Sequence, residues 1–130
     1  MGRVRANLNV KGRDRWTLFD TGARNTYVLP EVAEGLHSWQ ESPAEPVRLG
    51  GRVHEITRWC TLRSTLEGLR VMTLAMVIDE LGPDEDGRQI EILLGALAMQ
   101  NWGIRPVPDE ERLDLTHYPK EFVEFMELSS

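Results

Sequence analysis

The sequence predicts one domain built mostly from β-strands, and two regions carry this prediction. Residues 4–10 alternate apolar and polar side chains, which is typical of a strand with one buried face. Residues 56–66 and 69–78 are rich in Thr, Val, Leu and Trp and flank Glu67-Gly68, which indicates a hairpin. Because no repeat, linker or low-complexity segment interrupts the 130 residues, we expect a single domain over residues 1–130.

The other elements are predicted from turn residues and helix-end signals. Proline fits the first turn of a helix and glycine fits its end, so residues 30–36 predict a short helix. Pro119 likewise begins a predicted C-terminal helix over residues 119–128. In chain order, the remaining predictions are a turn at 11–14, strands at 15–19 and 27–29, loops at 42–46 and 82–87, and strands at 104–107 and 113–115 around a turn.

The most informative stretch is Asp20-Thr21-Gly22-Ala23, which follows the apolar run at residues 16–19. A strand of this kind fixes the backbone and partly removes the carboxylate of Asp20 from water. Thr21 can form local hydrogen bonds, and Gly22 permits a close approach that a side chain would block. Taken alone, the motif is equally compatible with a solvated turn between two strands.

A second motif lies in the apolar run at residues 90–99, which contains Leu93, Leu94 and Gly95. This run predicts a buried strand that leads into a short helix, and Gly103 would end that helix.

Together, the two motifs resemble those of the retropepsin-like (retroviral-type) aspartic proteases. Residues 47–56 lie between them and resemble the hairpin flap that this family folds over its substrate. The resemblance covers residues 4–107 and implies a small closed β-barrel with short helices; residues 108–130 would add a strand and a C-terminal helix. It implies Asp20 as the catalytic residue, supported by Thr21, Gly22 and Ala23, with Leu49, Gly50, Gly51 and Arg52 in the flap and Leu93, Leu94 and Gly95 in the second motif.

The resemblance also implies a symmetric homodimer. Hydrolysis of a peptide bond by aspartates needs two carboxylates facing one water, and no other aspartate of the chain lies in an Asp-Thr-Gly or Asp-Ser-Gly motif. An active enzyme would therefore take one Asp20 from each of two subunits and act on a peptide or protein substrate. The alternative is a non-catalytic dimerisation or peptide-binding module on the same fold.

Three features depart from the viral pattern. Arg24-Asn25 follows Ala23 where the viral enzymes often have acids that bind the substrate backbone, which leaves the subsite preference open. The loop before Gln89 is longer than in compact viral members. The predicted C-terminal helix leaves open whether residues 113–115, the helix, or both form the dimer interface.

Charge is unevenly distributed along the chain. The net charge of −6 argues against nucleic acid as the main partner. Residues 1–24 hold six Lys or Arg against two acids, whereas residues 79–130 hold four against thirteen. The two regions are either separate solvated faces or neighbours, within one subunit or between subunits.

Cysteine and histidine positions give no sign of a metal or cofactor. Cys60 is the only cysteine, so no internal disulfide forms, which suits either a reducing compartment, here expected to be the cytoplasm, or simple indifference to redox state. His37, His54 and His117 lie far apart and share no metal-ligand spacing with Cys60, and we expect no metal and no cofactor. No apolar run approaches the roughly 20 residues of a membrane span, so no membrane partner is expected.

Overall fold

A computed structural model of the chain describes residues 2–121. In chain order its elements are β1 (Arg3–Val10), β2 (Arg13–Asp20), β3 (Tyr27–Val28), α1 (Pro30–Ala33), β4 (Ser38–Leu49), β5 (Arg52–Leu66), β6 (Leu69–Val77), β7 (Ile92–Leu94), α2 (Ala96–Trp102), β8 (Arg105–Val107), a 3-10 turn (Pro108–Glu110) and β9 (Arg112–Asp114). Strands therefore dominate, which confirms the predicted all-β class.

Seven strands form one strongly curled sheet in the order β1-β2-β7-β3-β6-β5-β4. An additional pairing of Asn9 in β1 with Thr65 in β5 brings the sheet back upon itself. The late strand β7 lies between two early ones: it runs parallel to β2 and antiparallel to β3. This insertion places the two sequence motifs side by side. Strands β8 and β9 form a separate hairpin.

The prediction of a loop at residues 42–46 is wrong, because these residues lie within β4. The pairing of β4 with β5 shifts register between Gln40 and Glu45, which spans Pro43, and regular pairing then continues through Pro46 opposite Glu55. Proline cannot donate a hydrogen bond to a neighbouring strand, so it is tolerated at sheet edges and bulges. Since β4 is the last strand in the sheet order, the prolines mark an irregular edge rather than a break.

Most other elements follow the sequence prediction. The hairpin of β5 and β6 turns at Glu67-Gly68, and Gly103 ends α2 in the left-handed conformation with φ +65°. Helix α1 is shorter than the predicted 30–36 and ends at Ala33. Residues 119–121 belong to no helix or strand, and the rest of the predicted C-terminal helix lies outside the described residues.

The core fills the interior of the curled sheet. Its largest fully buried side chains include Leu8, Phe19, Leu62 and Ile92, and Met99 and Trp102 of α2 pack against the same cluster. Phe19 and Thr17 alternate along β2 with Leu18 and Trp16, which are only half-buried. The strand that ends at Asp20 thus has one face in the core and one face turned outward.

Two leucines of the β5–β6 hairpin allow a matched test of this core. Leu62 is 0% exposed and Leu74 is 57% exposed. Leu62→Ala should lower the free energy of unfolding by about 2–5 kcal/mol, because it leaves a cavity. Leu74→Ala should change it by less than about 0.5 kcal/mol. Urea denaturation measures both values, and equal losses would contradict the described packing.

Candidate active site

Asp20 is the last residue of β2, and it is buried to 6% exposure. Its Oδ1 accepts a hydrogen bond from the backbone N–H of Gly22 at 2.8 Å. The backbone oxygen of Asp20 accepts a second bond from the N–H of Ala23 at 3.2 Å. The chain therefore turns immediately after the strand, and the turn holds the carboxylate in one orientation. A solvated surface turn would not bury the aspartate in this way.

The start of α2 holds this loop in place. The N–H of Ala96 donates to the carbonyl of Ala23 at 2.7 Å, and the N–H of Leu97 donates to the carbonyl of Arg24 at 3.1 Å. The N–H of Gly95 donates to the hydroxyl of Thr26 at 3.2 Å. The first N–H groups of a helix lack partners inside the helix, so the loop supplies them. The second sequence motif is thus a support for the first.

Position 95 requires glycine because a side chain would not fit there, and not because of its backbone conformation. Its φ of −91° is accessible to any residue. A Cβ at this position, however, would lie 2.1 Å from the carbonyl oxygen of Asn25 and 2.7 Å from that of Arg24. The loop after Asp20 therefore packs directly on the backbone at Gly95.

Asp20 opens onto a cavity of about 510 Å³. Half-buried Leu18 and buried Leu93 contribute apolar surface beside the carboxylate, and Leu49 and Gly50 reach the same cavity from the turn between β4 and β5. The residues that line it are Arg3, Val4, Arg5, Trp16, Leu18, Asp20, Leu49, Gly50, Leu81, Pro83, Asp84, Glu85, Asp86, Ile90, Leu93, Pro108 and Glu111. The structure thus brings together the predicted catalytic residue, part of the second motif and part of the predicted flap.

Several predicted site residues lie around the cavity rather than in its lining. Gly51 completes the β4–β5 turn, where φ values of +60° and +77° at the two glycines favour residues without a side chain. Arg52 forms an ion pair with Glu80 at 2.7 Å, and Leu94 is fully buried in the core.

Thr21 is exposed and bonded to Gly2, which precedes β1. Its backbone N–H donates to the carbonyl of Gly2 at 3.0 Å, and its hydroxyl accepts from the N–H of Gly2 at 2.9 Å.

Arg3 is a site residue that the sequence reasoning missed. It pairs with Asp20 across the β1–β2 ladder, and its Nε lies 3.5 Å from Asp20 Oδ2. The signal was available, because a tight turn at residues 11–14 fixes the register of the two strands. Arg3 is more than half exposed, so solvent weakens this ion pair.

A second missed group fixes the loop at residues 82–87 against β1 and β2. The indole N–H of Trp16 donates to Asp84 at 2.7 Å, and the guanidinium of Arg88 lies 3.9 Å from the Trp16 ring centroid. Arg5 contacts Asp84 at 3.4 Å and Asp86 at 2.9 Å. The hydrogen bond from Trp16, aided by backbone N–H groups and by Arg5, holds the pKa of Asp84 below its usual range.

These contacts decide between the two interpretations of the charge distribution. Arg5 also contacts Glu111 at 3.5 Å, and Arg15 forms an ion pair with Glu91 at 2.8 Å. Basic residues near the N-terminus therefore lie beside acidic residues from the second half of the same chain, as one of the two interpretations predicted.

Cys60 is buried, and His54 contacts a carboxylate. Burial raises the pKa of the Cys60 thiol to about 11, so the thiol is protonated at neutral pH and is not a nucleophile. His54 bonds Asp79 at 2.9 Å, which lowers the pKa of that carboxyl. In residues 2–121, His, Cys, Asp and Glu side chains form no cluster of three that could hold a metal ion. No helix in this part of the chain is long and apolar enough to span a membrane.

Comparison with known proteins gives a match in structure but not in sequence. No protein-family model matches the chain, and no curated protein sequence matches it. The retroviral protease-like domain of Ddi1 from Leishmania major superposes with a TM-score of 0.64 at 14% identity, over 90% of each chain. The EIAV protease in complex with the inhibitor HBY-793 gives 0.60 at 16% identity, over 81% of this chain and 92% of that one.

The fold is retropepsin-like. The foamy viral protease-reverse transcriptase in complex with an RNA/DNA hybrid also matches, with a TM-score of 0.55 at 11% identity, over 82% of this chain and 12% of that chain. At these identities the comparisons establish the fold alone.

The close contact at Gly95 predicts how much one added methyl group would destabilise this retropepsin-like fold. Gly95→Ala should destabilise the protein by about 3 kcal/mol or more, because a Cβ would overlap two backbone carbonyls that cannot rotate away. Gly12→Ala is the control: Gly12 has φ +82° but no atom within 4 Å of a Cβ, so only backbone strain of about 1–2 kcal/mol is expected. Urea denaturation measures both. A smaller loss at Gly95 than at Gly12 would refute the close approach.

The lowered pKa of Asp84 predicts a pH-dependent contribution to stability. A carboxyl whose pKa is lower in the folded state than in the unfolded state stabilises the fold at pH values above its unfolded pKa, near 3.8. This stabilisation is lost as the pH falls through the folded pKa. Asp84→Asn should therefore be less stable than the unmutated chain at pH 7, and the difference should shrink as the pH falls below the unfolded value.

Thermal unfolding across this pH range measures the difference. Trp16→Phe removes the main hydrogen-bond donor to Asp84 and should reduce the same pH-dependent contribution to stability. A difference that stays constant from pH 7 to pH 2 in Asp84→Asn would show that the contribution does not come from ionised Asp84.

Proposed function

We propose that the chain is a homodimeric aspartic endopeptidase. In this proposal two Asp20 carboxylates, one from each subunit, activate a water that hydrolyses a peptide bond. The observation that carries it is the placement of Asp20: a buried carboxylate, oriented by the Gly22 N–H, opens onto a cavity with partly apolar walls in a retropepsin-like fold. The single buried thiol suits the reducing cytoplasm as the place of action.

The need for two subunits follows from the partners of the carboxylates in the cavity. Within the part of the chain that the structure describes, the Asp20 carboxylate contacts the Gly22 N–H and Arg3. Asp84, Asp86 and Glu111, which line the same cavity, are held by Arg5 instead. Glu85, the remaining acid of the lining, is exposed on the loop at residues 82–87 and belongs to no Asp-Thr-Gly motif. A second carboxylate held in the same way as Asp20 would therefore come from a second copy, and a symmetric dimer supplies an identical one.

The chemistry then follows from two acids in one site. Two adjacent carboxylates cannot both ionise cheaply, so the pair holds one proton and titrates as a unit. The ionised member takes a proton from the water, whose oxygen attacks the peptide carbonyl carbon. The protonated member stabilises the oxygen that becomes negative. Proton transfer to the leaving nitrogen then completes cleavage of the C–N bond.

The turn between β4 and β5 would act as the flap of this enzyme. Leu49 and Gly50 already reach the cavity that contains Asp20. Closure of this turn over an extended peptide would exclude bulk water from the reacting atoms. Leu18 and Leu93 would then pack against apolar side chains of the peptide on either side of the cleaved bond.

The test is the loss of activity in Asp20→Asn. Asparagine keeps the shape of aspartate but cannot take a proton from water, so peptide cleavage should fall by at least about 100-fold while the fold remains intact. Asp14→Asn, at an exposed position of the same strand, should keep full activity. Cleavage of a peptide library followed by mass spectrometry measures the rates. Full activity of Asp20→Asn on a peptide that the unmutated chain cleaves would end the protease hypothesis.

A mixing experiment tests the requirement for two subunits. Excess Asp20→Asn protein should form mixed dimers with the unmutated chain, so activity should fall steeply with added mutant and also with dilution. A fluorescent label on each protein reports exchange independently. Exchange without loss of activity would mean that one subunit is sufficient. Peptide binding without cleavage by the unmutated chain at any pH would instead favour the non-catalytic binding module.

A further inference from the structure

The cavity that contains Asp20 has more acidic than basic residues in its lining. Its four other acids are Asp84, Glu85, Asp86 and Glu111. We call these four carboxylates the acidic wall. The first three lie on the loop at residues 82–87, and the fourth follows the 3-10 turn. The basic residues of the lining are Arg3 and Arg5.

The two arginines of the cavity leave most of this negative charge unpaired. Arg3 lies beside Asp20, at 3.5 Å. Arg5 contacts three of the four carboxylates of the acidic wall, at distances from 2.9 to 3.5 Å. The fourth, Glu85, forms no ion pair among residues 2–121. Because one guanidinium carries a single positive charge, the acidic wall keeps a net negative charge.

Hydrogen bonds to Asp84 fix the position of the acidic wall. The backbone N–H groups of Asp86 and Arg88 both donate to Asp84 Oδ1 at 2.9 Å, and the indole N–H of Trp16 donates to Asp84 Oδ2 at 2.7 Å. These bonds hold the backbone on both sides of Glu85 and join it to β2. Glu85 and Asp86 therefore stay at the cavity although both residues are exposed.

The same region already holds two guanidinium groups of the chain itself. Arg5 lies among three carboxylates of the acidic wall, and the guanidinium of Arg88 lies 3.9 Å from the centroid of the Trp16 ring. Carboxylates and aromatic faces are common partners of a guanidinium in proteins. This end of the cavity therefore has the chemistry that binds an arginine side chain, and its excess of carboxylates favours a further cation.

The strand geometry gives the distance from Asp20 to the acidic wall. Asp20, Leu18 and Trp16 occupy alternate positions of β2, and all three line the cavity. With a rise of about 3.4 Å per residue, Leu18 lies about 7 Å and Trp16 about 14 Å from Asp20 along the strand. An extended peptide has the same rise, so two to four of its residues cover about this distance. The acidic wall thus lies near peptide side chains that at least one residue separates from the cleaved bond.

We propose that the acidic wall selects peptide substrates with a lysine or arginine about two to four residues from the cleaved bond. This inference rests on the proposed function, because it concerns the peptide that occupies the same cavity. The unpaired carboxylates would attract the cation, while Leu18 and Leu93 would pack against apolar side chains nearer the bond. In a symmetric dimer the second copy would present the same wall to the other half of the peptide.

Three matched peptides test the proposal. They have the same apolar residues at the central bond, and they carry Arg, Gln or Glu at the third residue on each side of it. The value of kcat/KM should be at least about fivefold higher for the Arg peptide than for the Gln peptide, and lowest for the Glu peptide. Raising the ionic strength from about 0.1 M to about 1 M should reduce these differences, because it shortens the Debye length.

Charge reversal provides the matched variants. Glu85→Lys should lower the ratio of kcat/KM between the Arg and Glu peptides by about tenfold or more. Glu111→Gln, on a different segment of the acidic wall, should lower the same ratio by a smaller factor. Glu67→Lys makes the same change in net charge as Glu85→Lys at an exposed turn outside the cavity and should leave the ratio unchanged. Thermal unfolding shows whether each variant is folded.

Two outcomes would overturn the proposal while leaving the proposed function intact. The first is cleavage of the Arg and Glu peptides with equal kcat/KM by the unmutated chain. The second is an equal fall of the ratio in Glu85→Lys and Glu67→Lys, which would show that only the net charge of the protein matters.

Binding separates failure of this proposal from failure of the proposed function. Absence of cleavage of any peptide by the unmutated chain would refute the proposed function. Fluorescence anisotropy of the same labelled peptides would then test the acidic wall directly. Tighter binding of the Arg peptide than of the Glu peptide, lost in Glu85→Lys but kept in Glu67→Lys, would support it. Equal binding of the two peptides, or binding of neither, would overturn it.

Discussion

The start of α2 and the loop after Asp20 position one another, because each supplies hydrogen-bond partners that the other lacks. The first N–H groups of a helix and the carbonyls of an irregular loop are both costly to bury alone. Here they pair directly, at Ala96 with Ala23 and at Leu97 with Arg24, and Gly95 removes the side chain that would hold them apart. The parallel pairing of β2 with β7 delivers both segments to the same end of the sheet. The cavity beside Asp20 depends on this arrangement.

Burial removes water from the Asp20 carboxylate, and other contacts have to offset this desolvation penalty. The Gly22 N–H provides a short, fixed hydrogen bond, and Arg3 provides an opposite charge at 3.5 Å. The two contributions differ in kind. The N–H is part of the turn and orients the carboxylate, whereas the exposed guanidinium of Arg3 acts through a field that solvent screens.

Local sequence patterns predicted much of the fold and of the candidate site, including the hairpins, the strand before Asp20 and the strand-helix unit at Gly95. Alternation and turn residues depend on neighbours in the chain, so the sequence displays them directly. The contact of Trp16 with Asp84 joins residues 68 positions apart and depends on how the sheet curls. The course of β4 through its prolines was missed for a related reason, because only the sheet order shows that β4 is an edge. The position of Arg3 beside Asp20 could have been predicted, since the β1–β2 register alone places the two residues opposite each other.

The position of Arg3 bears on how two subunits of the proposed enzyme could approach one another. Two bare Asp20 carboxylates brought together would repel, and this repulsion would oppose association. Each subunit, however, would bring its own Arg3 beside its Asp20, and this positive charge would offset part of the repulsion. Thr21 is bonded to Gly2 in the single chain, which places the N-terminal end of β1 at the same surface. The residues that precede and begin β1 would therefore form part of the environment in which the two aspartates meet.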